Sequence, residues 1–173
     1  MDDAAVRRAL LRHWRYAGRD EDIVHEIYHA DAVLEFPQSG ERFIGKSNFL
    51  TWRKQFPAKL DFRIRRITGQ GDLWVAENLI SYDGGPWMFD VSVLRFRGDK
   101  VAHESVYVME GFEAAGWRST WATMFDPLAS VAPDEWREGE PSGSVDPGPC
   151  IRRAPGVSVR NDLGRNKPCE LIE

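Results

Sequence analysis

From residue 60 to residue 110 the apolar residues recur at every second position in four consecutive runs, LDFRIRRIT, LWVAENLISY, WMFDVSVLRF and VAHESVYVME. The runs are parted by GQGD, DGGP and RGDK. Alternation over eight to ten residues marks a strand with two unlike faces, and each connector carries the glycine and aspartate that tight turns require. Four such strands in succession make an antiparallel meander.

Ahead of residue 60 the period is different. Val6, Leu10, His13, Trp14 and Ala17 recur at helical spacing behind the capping candidates Asp2 and Asp3, which predicts an amphipathic helix over residues 4–17. A short second helix starts at Asp20 and buries Ile23, Val24, Ile27 and Tyr28. The stretch VLEFPQSGERFIG then runs apolar, turns at Pro37 to Gly40 and returns through Phe43 and Ile44 as a hairpin. Phe49, Trp52, Arg53 and Phe56 predict a third helix stopped by Pro57. Helices first and a meander afterwards imply an α+β fold, with three N-terminal helices on one face of a curved antiparallel sheet.

The chain has 173 residues, 42% hydrophobic and 29% charged, enough for one domain with a real core. A net charge of -4 leaves no basic footprint for nucleic acid or anionic membrane. No apolar run reaches the roughly 18 residues of a spanning helix, and MDDAAVRRAL lacks the pattern of a signal peptide, so a cytoplasmic location is expected. Cys150 and Cys169 lie too near the end to staple the body of the chain. From Pro127 onward the sequence holds seven of the ten prolines and no sustained period. The working domain is therefore residues 1–126, followed by a Pro/Gly-rich tail, residues 127–173, expected to be disordered.

Three stretches, YHADAVLEFPQSGERFIG, the YDGG turn, and GDKVAHESVYV with GFEAAGWRSTWATMF after it, resemble the nuclear transport factor 2-like superfamily. Within it, the chain is similar to the SnoaL-like polyketide cyclase group over residues 4–126. The resemblance implies a cone-shaped barrel enclosing a pocket, with the hairpin at its rim.

Period alone favours burying Trp87, Phe89, Val91 and Val93 of WMFDVSVLRF. Aligning VSVLRF with the matching strand of the ketosteroid isomerases, which look like distant relatives, instead turns Asp90 and Ser92 inward, Ser92 falling where that family has an oxyanion-stabilising acid. The same register turns Trp74, Ala76, Asn78, Ile80 and Tyr82 inward, and Ala102, Glu104, Val106 and Val108 from the last strand. A slip of one residue would exchange the faces. In the inward register Asp90, Glu104 and Asn78 become catalytic candidates, because a buried carboxyl titrates nearer neutrality and serves general acid or base chemistry. Trp14, Phe36, Gln38, Trp52, Trp74, Tyr82 and Ser92 are candidates to touch a ligand.

His29 and His103 are weaker candidates, since a lone histidine at a strand or helix end is more often structural. No metal or phosphate-loop pattern occurs, and no cofactor is expected. The ketosteroid isomerases carry their base just before the hairpin proline, where this chain has Phe36, and the motifs of limonene epoxide hydrolases and scytalone dehydratases are missing. Two readings stand side by side. One is a cofactor-independent lyase, isomerase or hydrolase acting on a small hydrophobic carbonyl compound. The other is a non-catalytic binding or association domain. With Asp90 inward, Trp87, Phe89, Val91 and Val93 face out, and so apolar a row predicts a homodimer through the convex sheet face.

Overall fold

The computed structural model describes residues 2–129. Helix α1 (Asp3–Tyr16) begins where the Asp2 side chain accepts from the Ala5 amide at 2.7 Å, satisfying one of the orphan donors of the first turn. Its stripe of Val6, Leu10, His13 and Trp14 is buried. Helix α2 (Glu21–Val24) is capped by Asp20, whose carboxylate accepts from the Asp22 and Ile23 amides. A 3₁₀ turn, His25–Ile27, leads into β1 (Tyr28–Phe36), so Tyr28 opens a strand instead of closing a helix. The hairpin follows through β2 (Glu41–Ile44), and α3 (Lys46–Lys54) ends two residues before Phe56.

The meander consists of β3 (Leu60–Gln70), β4 (Leu73–Tyr82), β5 (Met88–Arg97) and β6 (Lys100–Met109), each antiparallel to the next. All six strands join one curved, unclosed sheet in the order β2-β1-β6-β5-β4-β3. The sheet is mixed, not antiparallel throughout, because β1 runs parallel to β6. That pairing joins the first strand to the last and leaves no local trace in sequence.

Helix α1 packs against β3, and α3 against β1 and β2, so the helices fill the concave side. The core between them holds Leu10, Trp14, Tyr28, Leu34, Phe49, Trp74 and Leu94. A register shift between Arg95 and Phe96 sets Phe96 opposite Val101 and leaves Ala102 as the extra residue of a bulge. Val101 is accordingly fully buried and Ala102 is not, which corrects the inward placement expected of Ala102. No helix among the described residues is long and apolar enough to cross a membrane. The Pro/Gly-rich segment lies, from residue 130 on, outside the described residues.

Candidate functional site

The concave face of the meander presents Asn78, Asp90, Ser92 and Glu104, all buried. Asn78 stands directly opposite Asp90 across β4 and β5, and its Nδ2 donates to Asp90 Oδ2 at 2.9 Å. Above them is a cavity of about 110 Å³. Its wall is aromatic, from Trp14 of α1, Phe36 of β1, Trp52 of α3, Phe62 of β3 and Tyr82 of β4, with Phe56 beside them. The polar groups on it are Glu21, Arg53, Asp90 and Ser92.

Asp90 is 2% exposed. Burial pushes its carboxyl from 3.8 up to about 7; the Asn78 hydrogen bond pulls down, the Glu104 charge pushes up, and the Arg53 charge pulls down. Tyr82 is also raised, by burial and by Asp90. Ser92 Oγ and Asn78 Oδ1 are buried with no hydrogen-bond partner among the described residues. A hydroxyl left unpaired on a cavity wall is free to donate to whatever enters.

Glu104 does not line the cavity. It is wholly buried in the adjacent core, where the Tyr28 hydroxyl donates to Oε2 and Oε1 has no partner among the described residues. Around Tyr28 stand two histidines, their ring centroids 5.7 Å (His13) and 5.6 Å (His25) from the Tyr28 ring. His13 Nδ1–H donates to Val24 O at 2.8 Å and His25 Nδ1–H to Glu21 O at 2.6 Å, which leaves both Nε2 atoms as buried acceptors. Both rings are held neutral. Burial, partly offset by the Val24 bond and reinforced by Arg53, lowers His13 to about 3. Burial and Arg53 lower His25 to about 4 against the Glu21 bond.

Of the residues picked from sequence as ligand contacts, Trp14, Phe36, Trp52, Tyr82 and Ser92 line the cavity. Trp74 does not: it sits in the core with Nε1 donating to Gly71 O at 3.0 Å. Gln38 also stands apart, its Oε1 accepting from the Val108 amide at 2.7 Å and tying the hairpin turn to β6. His29 Nε2 donates to Arg97 O, and His103 Nε2 lies 3.0 Å from Glu35 Oε2; neither reaches the cavity.

Arg53, Glu21, Phe56 and Phe62 line the cavity without having been singled out as site residues. A signal existed for Arg53, a cation on the apolar stripe of α3 among Phe49, Trp52 and Phe56. The same signal marked His13 on α1. A polar residue in a buried stripe needs a reason, and the reason here is the buried cluster. No group of three metal-ligating side chains occurs among the described residues.

Comparison with known proteins places the fold. A crystal structure of an NTF-2 like protein of unknown function from Burkholderia xenovorans LB400 is 43% identical, covers 73% of this chain and 99% of its own, and superposes with a TM-score of 0.68. A proposed ketosteroid isomerase from Kribbella flavida DSM 17836 superposes at 0.66 with 18% identity, covering 74% of this chain and 96% of its own. An LEH-like epoxide hydrolase from M. tuberculosis superposes at 0.54 with 18% identity, covering 61% and 83%. The last two share the fold alone. No curated protein matches the sequence. The model of the SnoaL-like domain matches residues 7–104, more than half of the chain, and the chain therefore belongs to the SnoaL-like domain family of the nuclear transport factor 2-like superfamily.

Proposed function

We propose that the protein is an acid–base enzyme for a small, largely hydrophobic, carbonyl-bearing molecule, with Asp90 as the proton-transfer group and no cofactor in the chemical step. One observation carries this reading: a carboxyl pushed up to about 7 opens onto an apolar, aromatic-walled cavity. A group titrating near the working pH is the one that both takes and returns a proton efficiently. Ser92 follows Asp90 by two residues on the same strand face, about 7 Å along β5 at the usual rise. That spacing lets the carboxylate take a proton from carbon while the hydroxyl donates to the carbonyl oxygen of the same molecule, where the negative charge gathers. The protonated Asp90 then returns the proton at another position or to a leaving oxygen. Isomerisation, aldol-type cyclisation and dehydration fit that sequence, and hydrolysis fits when the carboxylate takes its proton from an attacking water instead of from carbon. Asn78 orients Asp90, and Glu104 raises its proton affinity from the adjacent core. The enclosed volume is of the order of the roughly 150 Å³ apolar cavity that takes up benzene, so one ring fits inside and the rest of a larger substrate extends through the mouth.

The test is turnover of a panel of aryl ketones, 1,3-diketones and epoxides by the full chain and by Asp90→Asn, with ¹³C NMR titration of the Asp90 carboxyl alongside. Turnover that falls roughly 100-fold in the variant is expected. No turnover together with an Asp90 titration near its usual 3.8 would hand the site to a non-catalytic ligand-binding role.

A second reading concerns association. Trp87, Phe89, Val91 and Val93 form a partly exposed apolar row on the convex face, the side away from the cavity. Twofold pairing of two such faces would cover it, and a homodimer is the proposed assembly. Sedimentation of Val91→Lys as a monomer, against a wild-type dimer at micromolar concentration, is the expected result.

A further inference from the structure

Beyond β6 the chain runs through residues 110–115 without regular structure, makes a 3₁₀ turn over Gly116–Trp121, and continues to residue 129. Within this arm Phe112, Trp117, Trp121, Met124 and Phe125 are between 73% and 86% exposed. Among the described residues none of them contacts another ring, and none lines the cavity. Five large apolar side chains in fourteen residues is far more than a surface segment carries by chance, and such a patch marks a contact site.

The occupant is indicated by area, by continuity and by charge. Aromatic side chains bury about 150–250 Å² each, so the four rings offer on the order of 800 Å² before Met124 is counted, the share each partner gives to a stable protein interface. The arm also starts at the convex row: Met109 pairs with Phe89, and a methyl group on Gly111 would stand 3.4 Å from Phe89 Cε2. The arm is acidic, with Glu110, Glu113 and Asp126 against Arg118. The convex face is cationic at the matching place. Arg63 lies 4.2 Å over the Trp87 ring and Arg65 lies 5.6 Å from the Phe89 centroid, with Arg65 Nε buried and unpartnered among the described residues. An anionic membrane would be repelled by the same carboxylates.

We propose that residues 110–126 are an exchanged arm, received by a second copy of this chain on its convex sheet face, where the arm's rings pack beside Trp87 and Phe89 and its carboxylates meet Arg63 and Arg65. The arm deepens the twofold pairing proposed above and rests on it. Reciprocal exchange places both arms in one closed assembly, which is how a twofold contact avoids open-ended growth.

Two measurements on the full chain decide it. Photo-crosslinking from p-benzoylphenylalanine at position 121, in a mixture of ¹⁴N- and ¹⁵N-labelled protein, should give isotopically mixed crosslinks to the convex-face residues around Arg63, Arg65, Trp87 and Phe89. Crosslinks of a single isotope only, or crosslinks to Phe56 and Tyr82 at the cavity mouth, overturn the exchange and make the arm a lid on its own domain. Sedimentation of Trp117→Ser/Trp121→Ser should show dimer affinity at least 100-fold weaker than wild type with circular dichroism unchanged. If that variant dimerises like wild type while Val91→Lys is monomeric, the arm proposal fails and the sheet pairing stands. A monomeric wild-type protein fails both.

Discussion

Asn78 Nδ2 donates to Asp90 Oδ2 at 2.9 Å between directly paired strands, and that one bond holds a carboxyl in place without satisfying it fully. A carboxylate accepts several hydrogen bonds in water, so an acid given one donor in an apolar wall prefers to keep its proton.

The stability of the fold should carry the signature of that preference. Asp90 rises from 3.8 when unfolded to about 7 when folded, so the folded state binds the proton more tightly. Its contribution is complete below pH 4 and is lost as pH climbs through 7, amounting to on the order of 4 kcal/mol. Asp90→Asn has no proton to lose. Urea denaturation should find the variant gaining on wild type as pH goes from 5 to 8, and a constant difference across that range would contradict the assigned burial.

His13 predicts the opposite slope. Its folded value of about 3 lies below the 6.5 of the exposed ring, so its neutral form is the one that fits, and stability from it is lost as pH falls from 6.5 toward 3. His13→Asn keeps a donor for Val24 O but does not titrate. The variant should therefore lose less stability than wild type between pH 6.5 and 4.5, measured by the same denaturation series. Equal losses would mean that the ring is protonated without cost in the fold.

How far the sequence discloses this arrangement depends on whether each feature leaves a local trace. The meander does, because alternation and turn residues are written within each strand and connector. The parallel β1–β6 pair does not, since its partners are some seventy residues apart. Strand β5 is the instructive case. Both of its faces hold apolar residues, so period alone favours burying Trp87 and Phe89, and only the likeness of VSVLRF to related strands turned Asp90 and Ser92 inward. The bulge at Ala102 defeated the same extrapolation on β6, because one inserted residue exchanges faces for everything beyond it. Glu104 kept its inward face but missed the cavity, a matter of depth that alternation does not encode.

Gly18 fixes the end of α1 against β3, and its replacement should be costly. The residue has φ +74°, and a Cβ there would stand 2.4 Å from Leu60 O, a backbone atom that has no room to yield. Both residues border the cavity. Gly18→Ala should lower stability by about 2–3 kcal/mol and loosen the cavity mouth. A denaturation midpoint equal to wild type would mean that α1 shifts freely on the sheet.

Tyr28 and Glu104 offer the sharpest separation of packing from electrostatics. Tyr28 is buried with its hydroxyl on Glu104 Oε2, while Oε1 is already unpartnered among the described residues. Tyr28→Phe removes the donor and strands a buried carboxyl, at a cost of about 1–3 kcal/mol or more. Glu104→Gln keeps an acceptor for Tyr28 but removes the negative charge that pushes Asp90 up. Its effect is read at Asp90: in Glu104→Gln the ¹³C titration midpoint of Asp90 falls below that of wild type. The same shift should appear in the pH–rate profile of any substrate the enzyme turns over, the acidic limb, which follows ionisation of the Asp90 base, moving to lower pH in Glu104→Gln. Should Asp90 titrate identically in Glu104→Gln and wild type, Glu104 is no part of what tunes the site, and the proton affinity of Asp90 is set by its own burial and by Asn78.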